Sequence, residues 1–373
     1  MSYQKTACIT FLGNPYLDSR IVNLIDSLKQ NGILVKVVAF DWQTPDFVTV
    51  KGDVTIYKLT KQSFSPWFYI KFLFLLFKAL KNIKADYYFA EDIYVLPTTS
   101  FFAKHRKAKL YYNSRELYSH IGGLKDKKSV QMLISLVEKF YINKPDYVLV
   151  TGELDAEYLT HIYGITNTLL LRNLPSYKKP EEIIDFRAKY NIPENKLIVL
   201  YQGVLLKGRG IPLMLKALKE LPDVVFVIIG EGIYRKEFEK EAEDLGVKNR
   251  VFFTGPVAHE KLLNYTAGAD VGIALIENIS LSYFYALPNK LFEYIMVEVP
   301  VLVTNLPQMK SVVENYRVGE FITNEEPEEI IRIIKKWQKS PGILENYKKN
   351  CALASKELNW QAEFDKVKKI LLT

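Results

Sequence analysis

Short apolar runs rich in β-branched and aromatic residues alternate with helix-like segments along the chain, and this alternation restricts the fold most. It is typical of parallel sheets covered by helices. Predicted strands in the first half cover residues 6–12, 33–40, 54–58, 86–90, 108–113, 146–151 and 168–172. Those in the second half cover 197–202, 224–229, 250–254, 270–275, 300–303 and 319–322. The predicted fold class is α/β, with two doubly wound, Rossmann-like domains and a cleft between them.

The polar, proline-flanked stretch 174–182 is the best domain boundary, because the alternation stops before it and restarts after it. The expected domains cover residues 1–175 and 176–350, and residues 351–373 form a C-terminal helical segment. A length of 373 residues suits two domains that each have their own core.

Positive charge is concentrated in the first half. Residues 1–175 hold 22 Lys and Arg against 15 Asp and Glu, a net charge of +7, whereas the remainder carries +1. A positively charged first half suits an anionic partner, which could be a membrane surface, a lipid-linked phosphate or a nucleic acid. The sequence has no recognisable nucleic-acid-binding motif. Cys8 and Cys351 have no motif spacing, which indicates a reducing compartment without a disulfide or a zinc site. The N-terminus does not resemble a signal peptide.

Two strand-to-helix junctions in the second half have residues suited to a nucleotide sugar. Residues 203–210 (GVLLKGRG) combine a glycine turn with Lys207 and Arg209, whose guanidinium fork suits phosphate oxygens. Residues 288–294 (PNKLFEY) open a predicted helix on which Lys290 and Glu293 share a face. A cation suits a diphosphate, and a carboxylate suits a ribose diol. The alternatives are a plain turn with a solvated Arg209, and a surface ion pair between Lys290 and Glu293.

With these junctions the chain resembles the retaining glycosyltransferases of the GT-B fold, glycosyltransferase family 4, from residue 6 to residue 370. The resemblance implies that 203–210 hold the donor diphosphate, that Glu293 holds the ribose hydroxyls and that 251–257 lie against the nucleobase. It makes 1–175 the acceptor-side domain and 176–350 the donor-binding domain, with 351–373 crossing back to the first. Tyr285 departs from the usual glutamate, and Glu298 from the usual glycine. Members with PNKLFEY also lack that glutamate, which lets Lys290 replace part of its role.

Charged residues also follow strands of the first half, and by resemblance the loop 13–20 approaches the transferred sugar and its phosphate. Asp18 or Ser19 could equally be only a helix cap. Arg115 stands where the family often has histidine, so no histidine-based proton role carries over. The predicted catalytic residues are Arg209, Lys290, Asp92, Arg115 and Glu116. The predicted donor-binding residues are Gly13, Asn14, Gly203, Lys207, Arg209, Gly232, Pro256, Val257, Asn289, Lys290, Leu291 and Glu293.

The helix from Trp67 to Lys81 is unusually apolar and basic. It is too short and too basic to span a bilayer, and Trp67, Lys71, Phe74 and Lys78 fall on one stripe. Such a stripe suits the interface of an anionic membrane, with Lys104, Arg106, Lys107 and Lys109 adding charge nearby. An apolar core helix with snorkelling lysines explains the pattern equally well.

The sequence therefore predicts a cytoplasmic glycosyltransferase of class EC 2.4, peripheral on the inner face of the cell membrane. It would move a sugar from a UDP- or GDP-sugar to a lipid-linked or glycan acceptor in cell-surface polysaccharide or glycan biosynthesis, with retention by resemblance. No Asp-x-Asp motif is present, so no metal is expected. The alternatives are a nucleotide-sugar epimerase of the same fold, for which histidines are scarce, and an inactive sugar-nucleotide-binding homologue, which Tyr285 and Glu298 leave open.

Overall fold

The computed structural model describes residues 4–42, 48–60, 66–124 and 126–373. The chain divides into two compact units: unit 1 comprises Met1–Asn173 with Phe364–Thr373, and unit 2 comprises Leu174–Glu363. Each unit is built on one sheet of predominantly parallel strands flanked by helices. The predicted α/β class with two Rossmann-like domains is therefore confirmed.

Unit 1 contains an eight-stranded sheet in the order β3-β4-β2-β1-β5-β6-β7-β8. Its strands are β1 Thr6–Phe11, β2 Leu34–Asp41, β3 Val48–Lys51, β4 Val54–Lys58, β5 Tyr87–Ala90, β6 Lys109–Ser114, β7 Tyr147–Val150 and β8 Thr168–Leu170. Its helices are α1 Ser19–Gln30, α2 Pro66–Lys81, α3 Leu96–His105, α4 Lys128–Tyr141 and α5 Glu153–Tyr163. The sequence pattern after the first strand also predicts a helix over 19–30, and α1 confirms it, with Asp18 as its N-cap, because the Asp18 carboxylate accepts from the Ile21 N–H.

Strand β3 was not predicted from the sequence. It pairs antiparallel with β4, whereas the other strands of this sheet pair in parallel. Gly52, with φ of +58°, allows the tight turn between β3 and β4. The alternation of residues 48–51 is short and ends at a glycine, so it resembles a loop when read alone.

Unit 2 contains a six-stranded, all-parallel sheet in the order β11-β10-β9-β12-β13-β14. Its strands are β9 Leu197–Gln202, β10 Val224–Ile229, β11 Val251–Gly255, β12 Val271–Ala274, β13 Val301–Thr304 and β14 Gly319–Ile322. Its helices are α6 Phe186–Tyr190, α7 Ile211–Ala217, α8 Arg235–Asp244, α9 His259–Thr266, α10 Leu281–Phe284, α11 Asn289–Met296, α12 Pro307–Tyr316, α13 Pro327–Lys339 and α14 Pro341–Ala354. Helix α15 follows as Trp360–Leu371.

The strands of unit 2 are buried on both faces, which explains their continuous apolar sequences. In β10, alternate side chains point to opposite faces of the sheet. Val225, Val227 and Ile229 join one core cluster. Val224, Phe226 and Ile228 join the other. The residues of the candidate site described below follow the carboxyl ends of β9 and β12.

The last residues of the chain attach to the sheet of unit 1. The Tyr111 hydroxyl donates to the Leu371 carbonyl at 2.6 Å, and the Tyr87 hydroxyl donates to the Leu372 carbonyl at 2.8 Å. Because these tyrosines lie in the first halves of β5 and β6, the end of α15 is fixed near the amino-terminal ends of these two strands.

The sequence pattern predicts a helix over 287–296, and helix α11 begins two residues later, at Asn289, because Pro288 keeps an extended ψ of 143°. It ends before Glu298, which has a left-handed φ of +64°. This conformation is unfavourable by roughly 1–2 kcal/mol for a residue with a side chain, which explains why glycine suits the position.

Candidate active site

The loops after β9 and β10 approach each other so closely that only glycine fits at two positions. A side-chain carbon at Gly230 would overlap the Gly203 carbonyl oxygen, and one at Gly232 would overlap the Leu205 carbonyl oxygen. Gly203 itself has φ of +134°. This close approach gives Gly232 a structural role in the turn after β10, and its contact with a donor stays a prediction.

Lys290 extends from the first turn of α11 to the end of β9. Its Nζ lies 3.7 Å from the centre of the Tyr201 ring. A Cβ at Gly203 would be 3.2 Å from that nitrogen. Burial is the main cause that lowers the pKa of Lys290 well below its usual range, the Arg209 charge adds to it, and Glu293 opposes it.

Arg209 comes to the same edge of the sheet from the loop before α7. Its guanidinium carbon lies 4.7 Å from the centre of the Tyr283 ring, on α10. Gly208 and Gly210, with φ of +77° and +70°, form the turn that carries it. A ring face stabilises a cation without removing its hydrogen-bond donors, so those of Arg209 stay available to a ligand.

Lys207 takes a different direction from Arg209. Its Nζ lies 3.2 Å from a Glu237 carboxylate oxygen on α8 and 4.9 Å from the centre of the Tyr234 ring. Because both groups of this pair are well exposed, the interaction contributes little to stability. The donor role predicted for Lys207 requires the side chain to leave Glu237 and is still a prediction.

Two neighbouring cations without a counter-ion are the main electrostatic feature of this edge. Across residues 4–42, 48–60, 66–124 and 126–373, neither Arg209 nor Lys290 makes an ion pair or a hydrogen bond. The positive charge of Arg209 raises the free energy of the charged form of Lys290, because the two like charges repel each other. An anion placed between them would relieve this repulsion, and a diphosphate has the charge and the oxygens to do so.

Glu293 is buried one turn after Lys290, with 8% of its surface exposed. It does not bond Lys290. Instead its carboxylate accepts a 2.5 Å hydrogen bond from Gln202 Nε2, and Gln202 Oε1 accepts from the Thr266 hydroxyl at 2.7 Å. Burial raises the pKa of Glu293, whereas Gln202, His259 and Lys290 oppose the rise. The alternative of an exposed Lys290–Glu293 pair is therefore wrong.

The remaining predicted donor residues of unit 2 differ in what they expose. Leu291 is fully buried in the core, so only its backbone can reach a ligand. Asn289 is half-buried at the start of α11. After β11, Pro256 is exposed and Val257 packs on the core. Their contacts with a nucleotide stay predictions.

In unit 1, Arg115 joins the loop before α1 to the end of β5. Its guanidinium donates to both Asp18 oxygens at 2.6 and 3.1 Å and to Glu91 Oε2 at 3.0 Å. Asn113 Nδ2 also donates to Glu91, at 2.8 Å. The charges and hydrogen bonds of Asp18 and Glu91 raise the pKa of Arg115 despite its burial. Arg115 thus positions the loop, and its predicted catalytic role is untested.

Asp92 closes the turn that follows β5. Its carboxylate accepts from the backbone N–H groups of Leu12, Tyr94 and Val95 at 2.8, 2.8 and 2.9 Å. Burial nevertheless raises the pKa of Asp92 to about 6. These bonds give Asp92 a structural role, while the catalytic role predicted for it requires some of them to open. Glu116 is exposed after β6.

Arg20 is the least satisfied charged group of unit 1. It is 1% exposed, and its three guanidinium nitrogens have no hydrogen-bond partner among the described residues. Burial lowers the pKa of Arg20 to about 10, with Arg115 adding to the effect and Glu91 and Asp18 opposing it. Glu91 Oε1 and Asn113 Oδ1 also lack partners in the described chain. Such buried polar atoms are usually satisfied by ordered water.

The loop 13–18 borders a small cavity of about 200 Å³, with Gly13 and Asn14 in its wall. Two carboxylates, Asp18 and Asp41, also line it. Asn14 is held in place, because its side chain accepts from the Tyr16 N–H at 3.0 Å and donates to Asp41 at 3.3 Å. Each of these carboxylates already has a cationic partner, Arg115 for Asp18 and Lys58 for Asp41 at 3.0 Å, and the contact of this loop with the transferred sugar stays a prediction.

Sequence reasoning missed several residues that shape these sites. Tyr201 and Tyr283 lie under the two cations, and Gln202 orients Glu293. Their position in the sequence could have identified Tyr201 and Gln202, because they directly precede Gly203 at the carboxyl end of β9. Ligands bind beyond the carboxyl ends of such strands, and the last two side chains point to opposite faces of the sheet there. The described residues contain no group of three or more His, Cys, Asp or Glu that could hold a metal ion.

Comparison with known proteins finds similarity to glycosyltransferases. Residues 182–353 match the family model described as "Glycosyl transferases group 1". The alpha-galactosylglucosyldiacylglycerol synthase of Streptococcus pneumoniae is 24% identical over 238 residues, which is 62% of this chain and 60% of that relative. The lipopolysaccharide core biosynthesis glycosyltransferase LpsD of Rhizobium meliloti is 30% identical over 69 residues, 18% of this chain and 20% of its own length. These alignments thus cover less than two thirds of either relative.

Solved structures share the whole fold at low sequence identity. Sucrose-phosphate synthase from Thermosynechococcus elongatus has a TM-score of 0.80 at 17% identity, with 98% of each chain covered. The Anabaena protein Alr3699/HepE in complex with UDP-glucose has a TM-score of 0.72 at 15% identity, covering 98% of this chain and 99% of that one. The predicted GT-B fold and the predicted resemblance to GT-B glycosyltransferases are confirmed.

Proposed function

We propose that this GT-B chain, with its glycosyl transferases group 1 region at 182–353, transfers a sugar from a nucleoside diphosphate sugar to a lipid-linked or glycan acceptor. One observation carries the proposal most: Arg209 and Lys290 lie at the same sheet edge without an ion pair in the described chain, and the buried carboxylate of Glu293 follows one turn after Lys290. Phosphate oxygens and a ribose diol together complement these three groups.

The proposed chemistry of unit 2 is stabilisation of the leaving group. When the bond between the anomeric carbon and the phosphate oxygen breaks, negative charge grows on the diphosphate. Arg209 and Lys290 are already in place to stabilise that charge, and their low-dielectric surroundings strengthen the effect. The N-terminus of α11, where no side chain caps the backbone, adds a partial positive charge. Retention of configuration rests on the family resemblance alone.

The donor is proposed to be a UDP- or GDP-sugar. HepE, which has the same fold, was solved with UDP-glucose, which favours a uridine nucleotide. The two cations can neutralise a diphosphate, and on that ground we propose that no metal is required. Names of relatives include glycolipid and lipopolysaccharide biosynthesis, so the proposed pathway is the synthesis of a cell-surface glycan or glycolipid.

The first unit is proposed to contact an anionic membrane through α2. One face of this helix is buried through Phe68, Phe72 and Leu76, and the other exposes Trp67 at 76% and Phe74 at 67%. The helix thus belongs to the core, as one sequence interpretation predicts, and its exposed apolar face supports the membrane contact that we propose. None of the described helices is both long and apolar enough to span a bilayer. Surface contact on the cytoplasmic side is therefore the proposed mode.

Calorimetric titration with UDP, GDP and ADP tests the proposal, with uridine and guanosine as controls. We expect one diphosphate to bind and its nucleoside to bind far more weakly. A bound diphosphate should raise the lowered pKa of Lys290, so that binding takes up protons. The affinity for the diphosphate should therefore fall as pH rises above the pKa that Lys290 has in the nucleotide-free protein. Two buffers of different ionisation enthalpy measure this uptake. If none of the diphosphates binds, the proposed function is wrong.

A further inference from the structure

Helix α4 has an exposed apolar stripe that the sequence analysis did not single out. Met132, Leu133, Leu136 and Phe140 are all exposed, Leu133 at 58% and Phe140 at 71%. At 100° per residue these four side chains fall within about 100° of the helix circumference. Large apolar side chains grouped in this way on a protein surface mark a contact site more often than single ones do.

The stripe is on the outside of a firmly attached helix. The buried residues of α4 are Ile134 and Glu138, on the opposite face. The Glu138 carboxylate accepts hydrogen bonds from the Tyr163 hydroxyl at 2.9 Å and the Tyr112 hydroxyl at 3.3 Å. These anchors hold α4 in one orientation, so its apolar stripe cannot rotate into the core of unit 1.

Helices α2, α3 and α4 form one continuous surface, here called the three-helix face. The crossovers β4–β5, β5–β6 and β6–β7 all run in the same direction along the sheet, so right-handed connection places their helices on one side. Phe77 of α2 and Phe101 of α3 are both exposed, with ring centres 5.7 Å apart. Helix α3 in turn packs against α4. The apolar residues of α2 and α4 therefore flank those of α3.

The charge of the three-helix face is almost entirely positive. The three helices carry six lysines and one acidic residue, Glu138, which is buried. On α4, Lys128 and Lys139 flank the apolar stripe. A second copy of the chain docking on this face would bring identical lysine sets together, and that repulsion opposes a symmetric dimer. An anionic bilayer offers hydrocarbon to the apolar side chains and negative headgroups to the lysines.

We propose that the three-helix face docks on an anionic lipid bilayer, with the α4 stripe as a second insertion element beside α2. This inference rests on the membrane contact proposed above for α2. Two helices that insert on either side of α3 fix the orientation of unit 1 on the membrane, which a single helix does not. A lipid-linked acceptor would then meet the protein in one defined orientation.

Co-sedimentation with vesicles of phosphatidylglycerol and phosphatidylcholine tests the α4 contact. We expect Leu133→Glu/Phe140→Glu to weaken binding at least tenfold although α2 is unchanged. Leu353→Glu is the matched control, because Leu353 is a similarly exposed leucine, at 63%, on α14 of unit 2. The control should bind like the wild-type protein. Lys128→Glu/Lys139→Glu should weaken binding to these vesicles and lose the salt dependence that α4 contributes.

A gentler variant covers the case in which the glutamates disturb folding. Phe140→Trp should bind normally, and lipids brominated in their acyl chains should quench its fluorescence beyond that of the wild-type protein. Unchanged binding by the glutamate variant, or no extra quenching, overturns the proposal. So does sedimentation equilibrium that shows a dimer which Leu133→Glu/Phe140→Glu dissociates. Nucleotide affinity should be unchanged in all α4 variants, so loss of vesicle binding and failure of donor binding are separate results.

Discussion

Replacing Arg209 or Lys290 by alanine is expected to lower turnover about a hundredfold in each case, because each cation supplies about 3 kcal/mol of stabilisation to the leaving diphosphate. Both cations lie on aromatic rings, Tyr283 and Tyr201 respectively, and neither forms an ion pair with a carboxylate of the described chain. The measurement is the rate of nucleoside diphosphate release at saturating donor.

The folded state should tolerate these two changes. In the nucleotide-free protein, burial and the Arg209 charge disfavour the charged form of Lys290. Removing either the Lys290 or the Arg209 side chain therefore relieves the repulsion between them. Lys207→Ala is the matched control, since Lys207 belongs to the same loop but pairs with Glu237. It should lower turnover much less than Arg209→Ala does. Near-normal turnover of both the Arg209 and the Lys290 variants would place the diphosphate elsewhere.

Replacing Glu293 by alanine is expected to weaken donor binding tenfold or more without loss of the fold. Hydrogen bonds to a charged group contribute roughly 1.5–3 kcal/mol each, and 1.4 kcal/mol corresponds to a factor of ten in affinity. Gln202 uses one carboxylate oxygen of Glu293, which leaves the other for a ribose hydroxyl. Calorimetric titration with the best-bound nucleotide measures the loss.

Thermal unfolding separates this loss from damage to the structure. Burial raises the pKa of Glu293, so the folded chain holds the proton more tightly than the unfolded chain. Ionisation of this carboxyl therefore costs stability as pH rises above its ordinary pKa. Glu293→Ala removes that cost but leaves the buried Gln202 Nε2 without its acceptor, so at neutral pH the variant should still unfold cooperatively, close to the wild-type temperature. Unchanged nucleotide affinity would show that Glu293 does not hold the ribose.

Much of the fold could be predicted from the sequence, because the apolar runs of the strands and the patterns of the helices between them are both local features. Buried parallel strands need continuous apolar runs, and these located the strands of unit 2. Helix α1 was predicted with both of its ends. Strand β3 was missed, since four residues beside Gly52 carry too little pattern to distinguish an edge strand from a loop.

The candidate site was predictable in its residue types but not in its contacts. Glycine turns and charges at strand ends identified Gly203, Arg209, Lys290 and Glu293. The partners depend on tertiary packing: Gln202 meets Glu293 across 91 positions of sequence. Likewise, the apolar stripe of α4 has the periodicity of a core-facing helix, and only the fold shows that it faces outward. Periodicity identifies an apolar face but not what covers it.

Release of nucleoside diphosphate from a panel of UDP- and GDP-sugars tests the central claim most directly, with a bacterial lipid extract or glycan fraction added as acceptor. The account predicts acceptor-dependent release from one or a few of these donors by the wild-type protein, and about a hundredfold slower release by Arg209→Ala. Tight donor binding without any release would contradict the claim and indicate an inactive sugar-nucleotide-binding protein. Release at equal rates by the wild-type protein and Arg209→Ala would contradict the role of the cations in unit 2.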